Sequence, residues 1–151
     1  MNVFGRKSAL LVAAASLAFA SATVAAKDDR ATQLKNLAHY QAAAGAPQQS
    51  FTHMLRSGVS WQPLGPMNLL YHTSPSKAYL LKLDQECMDM DFAQSVTVGK
   101  GGNTIHVNTD RVKVLGPTNP GGFDCKITEI RQVDLKKYRA IRDAAKATTA
   151  R

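Results

Sequence analysis

The sequence predicts a small, mainly β domain: a curved antiparallel sheet or barrel of about six short strands, with a short helix at each end and one disulfide. Three observations carry that expectation. Apolar residues alternate with polar ones in short runs between Pro47 and Val133; clusters of glycine and proline separate the runs; and Cys87 and Cys125 are the only cysteines. A period of two turns one side of each run toward a core, and an even cysteine pair in an oxidising compartment reads most simply as a bridge.

The oxidising compartment is itself inferred from the leader. Arg6 and Lys7 precede an apolar run at 9–20 that ends in Ser21, Ala22 and Thr23. Charge, short apolar core and small residues in that order describe a secretory signal peptide at 1–26. The run is shorter than the roughly 20 residues of a membrane span. Val24 and Ala26 suit the −3 and −1 positions, so cleavage is expected after Ala26, with Lys27 as the mature start and a periplasmic or secreted location. The remaining 125 residues are the size of one domain.

Residues 27–50 read as an N-terminal helical arm. Asp28 and Asp29 sit near the positive end of a helix dipole, Leu34, Leu37, Ala38 and Gln41 recur at helical spacing, and Gly45 and Pro47 stop the helix. The β domain is assigned to 51–134. Phe51 and Trp61 are large apolar anchors, and Pro63, Gly65 and Pro66 mark a bend. Two strands at 68–73 and 78–83 flank the turn Ser74-Pro75-Ser76-Lys77 and make a hairpin, with Tyr79, Leu81 and Leu83 on one parity. An acidic connection holding Cys87 follows. Val96 and Val98 then begin a second hairpin, whose glycine turn at 99–102 returns through a partner strand carrying Ile105 and Val107. Val112 and Val114 alternate with Arg111 and Lys113 ahead of a Gly-Pro loop at 116–122. Cys125 and Ile127 open the last strand, where the step to Ile130 and Val133 implies a bulge or a switch to helix near Glu129. A basic helix or tail at 135–151 ends the chain, with Leu135, Tyr138, Ile141 and Ala145 forming a stripe opposite its charges.

Basicity belongs to that tail. The mature chain carries 17 basic and 11 acidic side chains, a net charge of +6, and residues 135–151 alone account for +5. Lys136, Lys137, Arg139, Arg142 and Lys146 are therefore the candidate contacts for a polyanion such as an anionic lipid surface. Nucleic acid is not expected, because no aromatic platform sits among these charges and the compartment is wrong.

Motifs for chemistry are sparse. No Gly and Ser spacing marks a nucleophile elbow. His39, His53, His72 and His106 lack the paired spacing of a zinc site. Asp84, Glu86, Asp89 and Asp91 gather four carboxylates without the glycine or terminal Glu of a calcium loop. Met88 and Met90 beside Cys87 offer soft copper ligands, but a bridged Cys87 removes the best of them. The reading is of no catalytic residues, metal or cofactor. Ser57-Gly58 ahead of Trp61 resembles the inhibitory loop of periplasmic lysozyme inhibitors, a likeness opposed by the shared positive charge of lysozymes and this chain.

A longer order of residues resembles a family of small exported bacterial proteins classified only as a domain of unknown function. It runs through Tyr40, Ala44-Gly45, Pro47, Phe51 and Trp61-Gln62-Pro63-Leu64-Gly65, then Thr73, Ala78-Tyr79-Leu80-Leu81, Leu83, Cys87 and Ala93, and ends with Asp110-Arg111-Val112, Cys125-Lys126-Ile127, Ile130 and Val133-Asp134. The resemblance implies export, one compact domain and a Cys87–Cys125 bridge, and brings no catalytic residue. The leading expectation is a non-enzymatic envelope module that binds a protein or glycan through an aromatic face of Trp61, Tyr71 and Tyr79. The alternatives are a small hydrolase or metal-dependent enzyme, in which His72 or His106 meets Asp110 or the acidic stretch, and a protein held on anionic membrane by its tail.

Overall fold

The computed structural model describes residues 22–53 and 59–149, with side chains from Arg30 onward. Of the expected leader at 1–26, residues 1–21 lie outside the described residues, as do Ser57-Gly58, and the expected cleavage point after Ala26 falls where only backbone is described. The elements in chain order are α1 (Ala22–Ala43), β1 (Ala44–Gln48), β2 (Ser50–Thr52), β3 (Ser60–Pro63), β4 (Asn68–Ser74), β5 (Lys77–Leu83), β6 (Ser95–Val98), β7 (Thr104–His106), β8 (Arg111–Leu115), β9 (Phe123–Val133) and α2 (Leu135–Thr149). Six strands form a nearly closed antiparallel sheet in the order β3-β4-β5-β9-β8-β6.

The 11-residue β9 is the axis of the fold. One of its edges is covered by β5, from Leu83 against Ile127 to Ala78 against Val133. The other is shared by β8, which pairs with 123–126, and β1, which pairs with 130–133. Between those two partners the Asp110 carbonyl accepts from Ile127 N–H at 3.1 Å and the Ile127 carbonyl from Asn108 N–H at 2.7 Å, so the edge keeps its hydrogen bonds across the gap. Lys82 faces Glu129 and Leu83 faces Ile127, leaving Thr128 as the extra residue of a bulge. The bulge resolves the expected choice near Glu129 in favour of continued strand. It also flips the parity: Cys125 and Ile127 lie in the same core as Ile130, while Val133 points to the opposite face.

Both faces of the central strands are consequently buried. The inner face gathers Phe51, Leu69, Tyr71, Tyr79, Leu81, Leu83 and Ile130 around the Cys87–Cys125 disulfide, whose Cα atoms are 5.9 Å apart. The outer face, from Leu70, Ala78, Leu80 and Val133, is covered by Tyr40 and Ala43 of α1 and by Leu135, Tyr138 and Ile141 of α2. Strands with apolar residues on both parities read as continuous runs, which is why Tyr-Leu-Leu at 79–81 does not alternate.

Three expectations are corrected. Gly45 and Pro47 do lie just past the end of α1 at Ala43, but they belong to strand β1, where Pro47 is tolerated at a sheet edge next to an irregular register between Ala44 and Pro47. The sheet therefore takes in residues that the sequence reading gave to the helical arm. The buried face of α1 is Tyr40 and Ala43 with Leu37 packed beside them, not the stripe through Ala38 and Gln41, because the Ala44 to Val133 pairing fixes the rotation of its last turn; Leu34 is 51% exposed. The strands β6 and β7 are not a hairpin: β6 pairs with β8, and β7 pairs with β2 through Phe51 and Ile105. Gly99 has φ +78°, and a Cβ there would lie 2.4 Å from Ile105 Cδ1, so the chain swings out of the sheet at Gly99 to let Ile105 tuck beneath it. The resulting β2–β7 ribbon lays Phe51 on Tyr79, with ring centroids 4.1 Å apart. With β1 and that ribbon, the described strands number nine, six of them in the nearly closed sheet that was expected.

Candidate functional site

The aromatic face does not form. Tyr71 is 4% and Tyr79 2% exposed, both inside the inner core, and Trp61 packs half-buried against the same cluster. Tyr71 is tied down further: its hydroxyl lies 3.1 Å from His53 Nδ1, while His53 Nε2 lies 3.2 Å from the Gly102 carbonyl. A neutral imidazole that accepts from Tyr71 and donates to Gly102 satisfies both contacts. Burial raises the Tyr71 pKa above the ordinary phenolic value, so the hydroxyl keeps its proton and remains a donor.

The two histidines of the enzymatic alternative lie on β4 and at the end of β7, the second beside Asp110. Asp110 is buried, but its Oδ2 accepts from the backbone N–H of His106 at 2.8 Å, which closes the turn between β7 and β8. His72 is half-buried on β4, where desolvation lowers its pKa. Two of the four acidic residues have structural partners. Asp84 Oδ1 accepts from Lys126 N–H at 3.0 Å, and Asp89 Oδ2 accepts from Thr118 N–H and Oγ1–H at 2.9 and 2.7 Å. No three His, Cys, Asp or Glu side chains among the described residues are grouped to hold a metal ion. Cys87 is bridged, Met90 is buried and Met88 stands exposed, so the soft ligands do not converge.

What the fold does present is a pair of helices carrying the charge. Because β1 and β9 are antiparallel and Ala44 faces Val133, α1 and α2 leave the same end of the sheet side by side in opposite directions. Asp134 fixes the start of α2: its N–H donates to the Ala43 carbonyl at 3.0 Å, and its Oδ1 accepts from Lys137 and Lys136 N–H at 3.0 and 2.9 Å. Those bonds, Lys137's first, hold the Asp134 carboxyl below the usual range. One turn further, Tyr138 stacks on Tyr40 with centroids 3.9 Å apart and planes 3° from parallel. Burial, then the hydrogen bond to Tyr138, pushes the Tyr40 pKa well up.

All five candidate cations lie on α2 with one carboxylate, Asp143, and no residue of α2 is fully buried. They divide into two groups. Lys136, Lys137 and Arg139 border an open groove at the sheet end, beside Gly45 and Pro75. Arg142 and Lys146 line a second cleft, about 670 Å³, together with Thr32, Lys35, Asn36 and His39 of α1. Arg142 Nε and Nη2 bond Asp143 Oδ1 at 3.1 and 3.0 Å, and its guanidinium lies 5.9 Å from the Tyr138 ring centroid. Lys35 and His39 were not legible as site residues. Their spacing with Thr32 and Asn36 marks one helical face, but nothing in the sequence brings that face against residues more than 100 positions later.

A sequence model of a family of unknown function (DUF6491) matches residues 6–149. No curated protein and no solved structure gives a significant match.

Proposed function

The chain belongs to this family of unknown function, and from that premise we propose that it is an exported, non-enzymatic envelope module that meets an anionic partner through the exposed basic side of α2. The observation that carries the reading is the partition of charge. Residues 44–134 hold eight basic and eight acidic side chains and are neutral as a body, whereas α2 holds five cations and one carboxylate. The leader pattern and the Cys87–Cys125 disulfide support an extracytoplasmic location. No helix among the described residues is long and apolar enough to cross a membrane.

The apolar stripe of α2 is already spent on the sheet through Leu135, Tyr138 and Ile141. Attraction to a lipid surface would therefore be electrostatic, without insertion of that stripe. Each Lys or Arg near an anionic surface contributes about 1 kcal/mol, within a Debye length of about 10 Å at 0.1 M salt. Deleting α2 would expose the outer core, so charge substitution is the cleaner probe.

The test uses protein expressed from the full sequence and recovered from the envelope fraction. Intact mass is expected to give a chain starting at Lys27 and lacking two hydrogens. That product should sediment with vesicles of anionic lipid at low salt, and substituting Lys136, Lys137, Arg139, Arg142 and Lys146 together by Gln should abolish it. Equal sedimentation with neutral vesicles, or indifference to salt, would refute the reading.

A further inference from the structure

We propose that the cleft between α1 and α2 is a discrete binding site for a phosphoryl group, with Lys35, Arg142 and Lys146 as its cationic contacts. The inference rests on the electrostatic reading of α2 but narrows it from a charged surface to a built site. Side-by-side helices ordinarily seal against each other with apolar side chains. Here the seal is made at one end only, by the Tyr40–Tyr138 stack over the outer core. Beyond it the facing surfaces carry polar and charged heads on mixed walls: Thr32, Lys35, Asn36 and His39 from one helix meet Arg142, Ala145, Lys146 and Thr149 from the other.

Lys35 and Lys146 are exposed and Arg142 is half-buried, so cations from both helices border the cleft with a modest mutual repulsion that an anion between them would relieve. The only carboxylate adjoining the cleft cations in α2 is Asp143, and it bonds Arg142 through Nε and Nη2, with no partner for Nη1 of the guanidinium among the described residues. Counting Lys35, Arg142 and Lys146 against Asp143 leaves a local charge of +2, which matches the charge of about −1.5 to −2 on a phosphomonoester at neutral pH. Neutral donors stand beside the cations in Thr32 and Asn36. His39 borders the cleft too, and its Nδ1 is buried with no hydrogen-bond partner among the described residues. The cleft volume, about 670 Å³, also admits more than a bare ion. The phosphoryl group could come from free phosphate or from a lipid headgroup, and the two sources are separable.

The experiment compares two charge-matched variants of the full mature protein. The cleft triple is Lys35→Gln, Arg142→Gln and Lys146→Gln; the rim triple is Lys136→Gln, Lys137→Gln and Arg139→Gln. Inorganic phosphate is titrated calorimetrically, with the His39 ring resonances followed by NMR, and vesicles of phosphatidylcholine doped with phosphatidic acid are tested by sedimentation. The cleft triple is expected to lose phosphoryl binding and the rim triple to keep it. Lys35→Gln alone, on the helix that does not carry the basic patch, should weaken binding about tenfold while leaving thermal unfolding unchanged. Binding of inorganic phosphate identifies the free ion as sufficient; binding only of phosphatidic acid vesicles, with the same cleft dependence, identifies the headgroup. Equal losses in both triples would overturn the cleft while leaving the surface reading intact. Cleft-dependent phosphate binding without vesicle binding would do the reverse, and no binding to either probe would remove both.

Discussion

Gly116 gives the sharpest test of how the acidic connection is held. Its backbone does not occupy the left-handed region, so conformational freedom does not require glycine there; proximity does. A Cβ at Gly116 would lie 2.3 Å from Asp89 Cβ and 2.6 Å from Asp89 Oδ2. Asp89 is itself left-handed, with φ 62°, and its Oδ2 clamps the Thr118 N–H and hydroxyl. Gly116→Ala must therefore displace the carboxylate, adding an overpacking cost of about 1–3 kcal/mol to the loss of charge-assisted bonds worth about 1.5 kcal/mol or more. A total of about 2.5–4.5 kcal/mol is expected, or roughly 1.3–2.3 M in urea midpoint at an m value of about 2 kcal/mol/M. Asp89→Gly loses the same clamp but relieves a left-handed residue, so its own cost is smaller, about 1 kcal/mol. In that background Gly116→Ala meets no side chain, and its effect should fall within about 0.5 kcal/mol of zero. The four proteins form a double-mutant cycle, read by urea unfolding with Trp61 fluorescence. Additive costs, or a neutral Gly116→Ala in the parent protein, would refute the account of this contact.

Two further outcomes follow from the same structure. Replacing both Cys87 and Cys125 by Ala opens a bridge that spans 38 residues of sequence, so equilibrium unfolding should show a loss of about 4 kcal/mol, and a loss below about 1 kcal/mol would mean that the bridge constrains little of the unfolded chain. Burial lowers the His72 pKa, so the unfolded chain binds the proton more readily; stability from this group is complete above the unfolded value of about 6.5 and declines as pH falls from there toward the depressed folded value. His72→Gln should flatten the fall in melting temperature on acidifying below about pH 6.5, and a slope that is unchanged or steeper would contradict it.

How much of this was readable from sequence depends on whether a signal is local. The β4–β5 hairpin was legible because Ser74-Pro75-Ser76-Lys77 is a local turn between two apolar runs, and observed pairing joins Asn68 to Lys82 and His72 to Ala78 across it. The sulfur bridge was legible because only one pairing of two cysteines exists. Strand β1 was not, since Ala-Gly-Ala-Pro reads as a helix stop and its partner on β9 lies more than 80 residues away. Pairing of β6 with β8 defeated the local hairpin rule because Gly99 turns the chain away to serve the core instead of closing a turn.

The error over the aromatic face has a different origin, and it bears on where a ligand can bind. Tyrosine favours binding surfaces and half-buried strands alike, and composition cannot tell them apart until both faces of the strand are accounted for. Once Leu70, Ala78 and Leu80 are placed under the helices, Tyr71 and Tyr79 must fill the inner face with Leu69 and Leu81, and neither ring is left to form a binding surface. The proposed recognition surface lies instead on elements that cover the sheet without being buried by it. Of these, α2 carries the excess charge, and α1 supplies Lys35 and His39 from across the cleft; the charge was visible in the sequence and the juxtaposition was not, because β1 and β9 alone bring the two helices together.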